Sequence, residues 1–217
     1  MKNLKPGRAV ISIIFFIVTS ISLFLYFTSA TKISSQYVKI NSLADTVRYV
    51  NGLNQYYSEL LKFNIKSSDF SFKNELIKAH DITADTNKAT LININSLFGK
   101  SKYSLVLRYT QIGCDECSGL TVKKLEALRK AHPDLPIYAF VDFTNYDSYL
   151  QWRKVGEIDF PVFYVKKGGI PFDQNCNDYS YLFLVNKAGI ASNFFIPNSG
   201  IPDILAYYFD HVYKRFN

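Results

Sequence analysis

The stretch AVISIIFFIVTSISLFLYFT, residues 9–28, holds no charged residue and follows closely on Lys2, Lys5 and Arg8. As a helix it rises roughly 30 Å, about the thickness of the hydrocarbon core of a bilayer. Residues 9–29 are therefore expected to form a transmembrane signal-anchor, with residues 1–8 as a basic cytoplasmic tail. A cleavable signal peptide is the alternative. It usually has a shorter apolar region and a small-residue cleavage site, and FTSATK offers Thr28 where a small residue is wanted. No cysteine follows the run, which excludes a lipoprotein anchor. Under either reading the positive-inside bias places everything after Thr28 in the periplasm or at the cell exterior.

That placement changes how the cysteines are read. There are three, Cys114, Cys117 and Cys176, too few and odd in number for a disulfide-stapled fold. Cys114-Asp115-Glu116-Cys117 is a CxxC. In a reducing cytosol this spacing leans toward metal or transient redox chemistry, whereas outside the cytoplasm a disulfide persists. The composition, 48% hydrophobic and 20% charged, is that of a chain with a sizeable core. Net charge is +7, of which Lys2, Lys5 and Arg8 supply three, and the rest forms no basic block. Nucleic-acid binding needs clustered charge, so no such partner is expected.

Between residues 37 and 61 apolar residues recur at intervals of three and four, which describes one helical face. Residues 30–87 read as a helical stalk and connector, with a short dimerising coil as the other use of the stripe; SSDFSFKN and DITADTNK read as polar connecting segments. The texture changes at residue 88. ATLININ is a short strand, Gly99-Lys100 a turn, and residues 103–110 a β-rich run. CSGLTVKKLEALRKAHP is an amphipathic helix with Leu120, Val122, Leu125, Leu128 and Ala131 on one side, stopped by Pro133. LPIYAFVDF is a buried strand, and NYDSYLQWRKVG a helix capped at Asn145 or Asp147. FPVFYVKKGG and SYLFLVNKAGIASNFFIP supply strands, the second pair joined at Lys187-Ala188-Gly189. A helix with Pro202 in its first turn follows. Residues 88–217 thus read as one α/β domain, a central mixed sheet with helices on both faces.

LVLRYTQIGCDEC running into a helix, the strand-turn-strand SYLFLVNKAGI and the lead-in ININSLFGKSKYSLVLRY together resemble the thioredoxin-like superfamily. Within it they are similar to the membrane-anchored, extracytoplasmic redoxin or TlpA-like thiol-disulfide oxidoreductases. The resemblance spans residues 88–217. It implies a thioredoxin-like three-layer sandwich, a redox-active dithiol, protein thiols and disulfides as partners, and recharging by a membrane electron donor. Three positions depart from the family pattern. The strand facing the dithiol usually follows a cis-proline, and Ser180 holds that place; a cis bond before a non-proline residue costs about 2.5–4 kcal/mol, so Tyr179–Ser180 is expected to be trans. The buried acid six residues before the first cysteine is Arg108 here, and the tryptophan before that cysteine is Gly113. A peroxidase is not expected, because Gln111 and Leu107 stand where a peroxidatic cysteine has Thr or Ser and proline.

The resemblance implies attack by Cys114 and resolution by Cys117. A helix N-terminus favours a thiolate, while Asp115 and Glu116 repel it and raise its pKa. Arg108 works the other way if its side chain reaches the sulfurs. A disfavoured thiolate makes a reducing couple. Two other readings of the pair stay open. One is a structural dithiol in a binding or assembly module, favoured by Ser180, Arg108 and Gly113. The other is zinc, which wants four ligands: Cys176 and one of His80, His132 or His211 would have to complete the set, and no histidine stands at ligand spacing from a cysteine. Cys176 reads either as a third redox thiol or as a partly buried free one. Trp152 is expected to pack, and Asp142 to approach the site or to serve a turn. No phosphate loop, Ser-His-Asp arrangement or repeated acidic metal loop occurs, so no cofactor is expected.

Overall fold

The computed structural model describes residues 6–68, 70–83, 90–112, 115–176 and 178–216, without the side chains of residues 6–9, 74, 115–117 and 202. It divides into two compact units, Met1–Tyr56 and Tyr57–Asn217. The first unit is helical, formed by the greater part of α1 (Pro6–Ser67). Its described apolar side chains up to Phe27 are exposed, Phe16 by 73%. Thr19 and Thr28 return their hydroxyls to carbonyls of the preceding turn, Thr19 Oγ1 to Phe15 O at 2.7 Å and Thr28 Oγ1 to Phe24 O at 3.0 Å. The hydroxyls of these two threonines are thus satisfied without water. By length and composition this helix is able to cross a membrane.

The second unit is built on a seven-stranded mixed sheet in the order β2-β1-β5-β4-β3-β6-β7. The strands are β1 (Lys78–Asp81), β2 (Thr90–Asn93), β3 (Tyr103–Tyr109), β4 (Ile137–Val141), β5 (Val162–Tyr164), β6 (Tyr181–Asn186) and β7 (Ala191–Phe195). β3, β4 and β5 are parallel. β6 runs antiparallel to β3 and β7 to β6, while β1 pairs antiparallel with both β2 and β5. The hairpin between β6 and β7 turns at Gly189, whose φ of +77° suits a residue without a side chain.

Alternation along the strands sorts their residues to two faces. Leu105, Leu107, Ala139, Leu182 and Leu184 pack against Val122 of α2 (Asp115–Ala131), Tyr149 of α3 (Tyr146–Val155) and Val212 of α4 (Pro202–Phe216). The opposite face is aromatic, and the last turns of α1 and the 3₁₀ helix Pro171–Asn175 cover it. There Phe63 lies 5.0 Å from Tyr181 and 5.1 Å from Phe194, and Phe172 lies 4.9 Å from Phe194. Helices therefore flank a mixed sheet on both sides, as expected. Asn145 is the residue that caps α3, its side chain accepting from Ser148 N at 2.7 Å.

Two expectations are corrected. The stretch read as polar connector contains β1 and the 3₁₀ helix Phe72–Asn74, with Phe72 and Ala79 fully buried. Strand pairing on both sides holds β1 in place, and residue polarity does not report that; His80 accordingly lies in a strand, 6.2 Å from the Tyr164 ring. In α2 the buried stripe is Ser118, Thr121, Val122, Leu125 and Glu126, while Leu120 is 40% exposed and Ala131 faces solvent. Polar residues occupy the stripe because the fold offers them partners: Ser118 bonds Ser180, and Glu126 accepts from the Asp159 N–H.

Candidate functional site

β3 ends at Tyr109, and the chain turns through Thr110, Gln111 and Ile112 before α2 opens at Asp115. The turn is fixed from two sides. Just after β4, Asp142 Oδ1 accepts the Gln111 N–H at 2.8 Å, while Gln111 Oε1 accepts from Thr144 N and Oγ1 at 2.8 and 3.0 Å. Burial raises the Asp142 carboxyl above its ordinary pKa, with the Gln111 N–H and Arg108 acting against that rise. Asp142 therefore both approaches the turn and braces it.

From the other side comes Ser180, buried in the segment before β6. Its Oγ accepts from Thr110 N at 3.1 Å and from Ser118 Oγ at 3.2 Å. One oxygen thus joins the end of β3 to the first turns of α2. Among the described residues there is no cis peptide bond, so Tyr179–Ser180 is trans as expected.

Arg108 is on β3 and fully buried, on the aromatic face. A guanidinium has five N–H donors, and the surroundings supply five acceptors. Nε and Nη2 donate to the two oxygens of Asp173 at 3.1 and 3.0 Å, Nη1 to Val165 O at 2.9 Å and Phe140 O at 3.4 Å, and Nη2 to Lys166 O at 3.2 Å. Its donors are committed to this network. Asp173 also accepts from the Tyr181 hydroxyl. Cys176 is buried beside the same network, and its thiol donates to Asp173 O at 3.0 Å. Burial pushes that thiol up to about 12, with the Asp173 carboxylate adding to the rise.

Cys114 and Gly113 lie outside the described residues; Asp115, Glu116 and Cys117 are described as backbone, in the first turn of α2. Beside the turn a cleft of about 460 Å³ opens between α2 and α3, lined by Tyr109, Gln111, Gly119, Phe143, Trp152 and Val155. Trp152 packs 4.8 Å from Tyr109, in the role expected of it. The His132 ring lies 4.6 Å from the Tyr213 ring at a tilt, and His211 lies on α4; among the described residues no three His, Cys, Asp or Glu side chains gather as metal ligands.

A central strand that leads into the CxxC helix, flanked by a parallel strand on one side and an antiparallel hairpin with a following helix on the other, decides the fold. It is thioredoxin-like. No protein-family model and no curated protein matches the chain. Solved structures similar to this thioredoxin-like chain include the thioredoxin domain of a thiol-disulfide oxidoreductase from Bacteroides vulgatus (12% identity, 65% of this chain and 96% of that one, TM-score 0.48). A putative thiol:disulfide interchange protein DsbE from Chlorobium tepidum is also similar (12%, 69% and 98%, TM-score 0.49). So is the mitochondrial 2-Cys peroxiredoxin of Plasmodium falciparum (13%, 67% and 92%, TM-score 0.45).

Sequence reasoning missed Asp173, Thr110 and Ser118. The signal for Asp173 was Arg108 itself, since a charge inside an apolar strand requires a partner. Thr110 and Ser118 carried no signal, because only the fold brings Ser180 between them.

Proposed function

We propose that this chain is a membrane-anchored thiol-disulfide oxidoreductase that acts on protein thiols outside the cytoplasm through Cys114 and Cys117. The observation that carries the reading is the position of the CxxC, which leads from the C-terminal end of β3 into α2, with Cys117 in the first turn of that helix. Open α/β sheets hold their ligands at this edge, and the unpaired N–H groups of a helix start favour a thiolate. Residues 9–29 serve as the anchor, and a membrane electron donor returns the pair to the dithiol.

In the reducing direction the Cys114 thiolate attacks one sulfur of a protein disulfide. That S–S bond breaks, its second sulfur leaves as a thiolate, and a mixed disulfide forms. Cys117, deprotonated, then attacks the Cys114 sulfur and releases the other substrate thiolate. Two electrons pass to the substrate, and its two sulfurs take up the protons that the cysteines gave up. Arg108 has its donors engaged elsewhere, so Asp115 and Glu116 dominate as sequence neighbours and the couple is reducing, nearer about −270 mV than about −120 mV.

The engagement of Arg108 also favours a second reading, a binding or assembly module with a structural dithiol. Trapping separates the two. The full-length Cys117→Ser variant in detergent, offered insulin as a disulfide-bearing test protein, is expected to accumulate a dithiothreitol-sensitive adduct on Cys114. An alkylatable Cys114 that forms no adduct would leave the binding module.

A further inference from the structure

Past residue 28 the helix of the first unit carries a second apolar stripe whose side chains stand open. Ile33, Tyr37, Ile40, Leu43, Val47 and Val50 are each exposed by 45% or more. Their order is that of a heptad. Ile33, Ile40, Val47 and Asn54 stand seven residues apart, and Gln36, Leu43 and Val50 follow the first three of them at an interval of three. These are the a and d positions of a coiled coil. A helix that packs on its own domain shows a broader apolar face, whereas a strict a/d stripe is the narrow seam of a coil. The charged residues avoid the seam. Lys32 and Lys39 fall at g, and Asp45 and Arg48 pair at 3.3 Å on the outer face, at f and b. Gly52 is also at f, with nothing within 4 Å of where a side chain would begin. Val38 and Tyr49 are exposed apolar residues outside the seam.

We infer that residues 33–54 form a parallel, two-stranded coiled coil with a second copy of this chain. β-branched residues at a, here Ile33, Ile40 and Val47, favour two strands when leucine stands at d, as Leu43 does. Asn54 sets the register, as a single asparagine at an a position does. In a parallel, in-register pair the two Asn54 amides meet and bond each other. An antiparallel pair centred on the stripe sets each amide against Ile33 and buries it without a partner, which is costly. At the flanks Lys32 and Lys39 meet Tyr37 and Ala44 of the second copy, so like charges do not face each other across the seam. Residues 9–29, as an anchor, hold two copies in one membrane in the same direction and raise their effective concentration. The inference is independent of the chemistry at Cys114 and Cys117.

The test uses the full-length protein in detergent, with Cys114 and Cys117 replaced by serine and the buried Cys176 kept. One cysteine is then introduced, by Leu43→Cys on the seam or by Asp45→Cys on the outer face. A disulfide needs Cα atoms within about 7 Å, a condition that two copies of a d position meet and two copies of an f position do not. Under a mild oxidant Leu43→Cys is expected to link into a species of doubled mass at least about tenfold faster than Asp45→Cys. Adding Val47→Lys to Leu43→Cys should abolish the link. Sedimentation of the wild type in density-matched detergent should give the mass of two chains. Equal linking rates at the two positions, a link that Val47→Lys leaves unchanged, or the mass of one chain or of three would each overturn the inference, and would leave the stripe to a membrane surface, another protein or a different assembly.

Discussion

Arg108 and Asp173 meet through two parallel hydrogen bonds, Nε to Oδ1 at 3.1 Å and Nη2 to Oδ2 at 3.0 Å, with both side chains buried. The pair fastens the 3₁₀ helix Pro171–Asn175 to the central strand of the sheet. Removing one partner leaves an uncompensated buried charge. Arg108→Met is expected to cost about 3–5 kcal/mol, read as a lower denaturant midpoint at unchanged slope. The double variant Arg108→Met/Asp173→Leu removes the unpaired charge but leaves the Val165 carbonyl and the Tyr181 hydroxyl without their partners, so it should recover only part of that loss.

Cys176 should behave as a structural thiol. It is 2% exposed, and burial holds its pKa near 12. At pH 8, native protein treated with a thiol reagent is expected to label Cys176 only as fast as it unfolds. The fold retains that proton, so the stabilisation is complete below the ordinary value of 9.0 and is lost as pH rises toward about 12. Rapid native labelling of Cys176 would place it among the redox groups instead.

The structural domain begins before residue 88. Phe63 is fully buried against Tyr181 and Phe194, and the second compact unit starts at Tyr57. Phe63→Ala should cost about 3–5 kcal/mol. A fragment of residues 88–217, which lacks Phe63, Phe72 and β1, is expected to show no cooperative thermal transition by circular dichroism.

Glu126 gives the pH dependence a sign. Its carboxyl is buried in α2 and its pKa is raised above 4.5, chiefly by desolvation. The folded state therefore binds the proton more tightly than the unfolded state. This contribution is full below 4.5 and is lost as pH rises through the raised value. Glu126→Gln keeps an acceptor for the Asp159 N–H and carries no charge. It should be more stable than wild type at neutral pH, with the difference shrinking as the pH is lowered toward 4.5, as followed by denaturant titration.

Much of this fold was legible because its strands are apolar runs with clear ends. Leu105, Val106 and Leu107 announce a strand buried on both faces, and Asn145 and Asp147 together announce the start of α3, which the structure fixes at Asn145. β1 was not legible, since KAHD is polar and owes its conformation to the strands on either side. The buried face of α2 was misread for a related reason: Ser118 and Glu126 take inward positions that periodicity would give to Leu120 and Ala131. At the site, the CxxC and its place after a strand were visible from spacing alone. The commitment of Arg108 to Asp173 was not, because the two are 65 residues apart in sequence and meet only when the segment after β5 folds back over the sheet.

The central claim is that Cys114 and Cys117 form a working redox couple, and glutathione equilibration of the full-length protein with thiol trapping tests it most directly. The pair is expected to interconvert fully and reversibly as a two-electron couple, with a potential nearer about −270 mV than about −120 mV and with Cys114 alkylated first. A pair that stays in one state across the whole accessible range would contradict the account and make the dithiol structural.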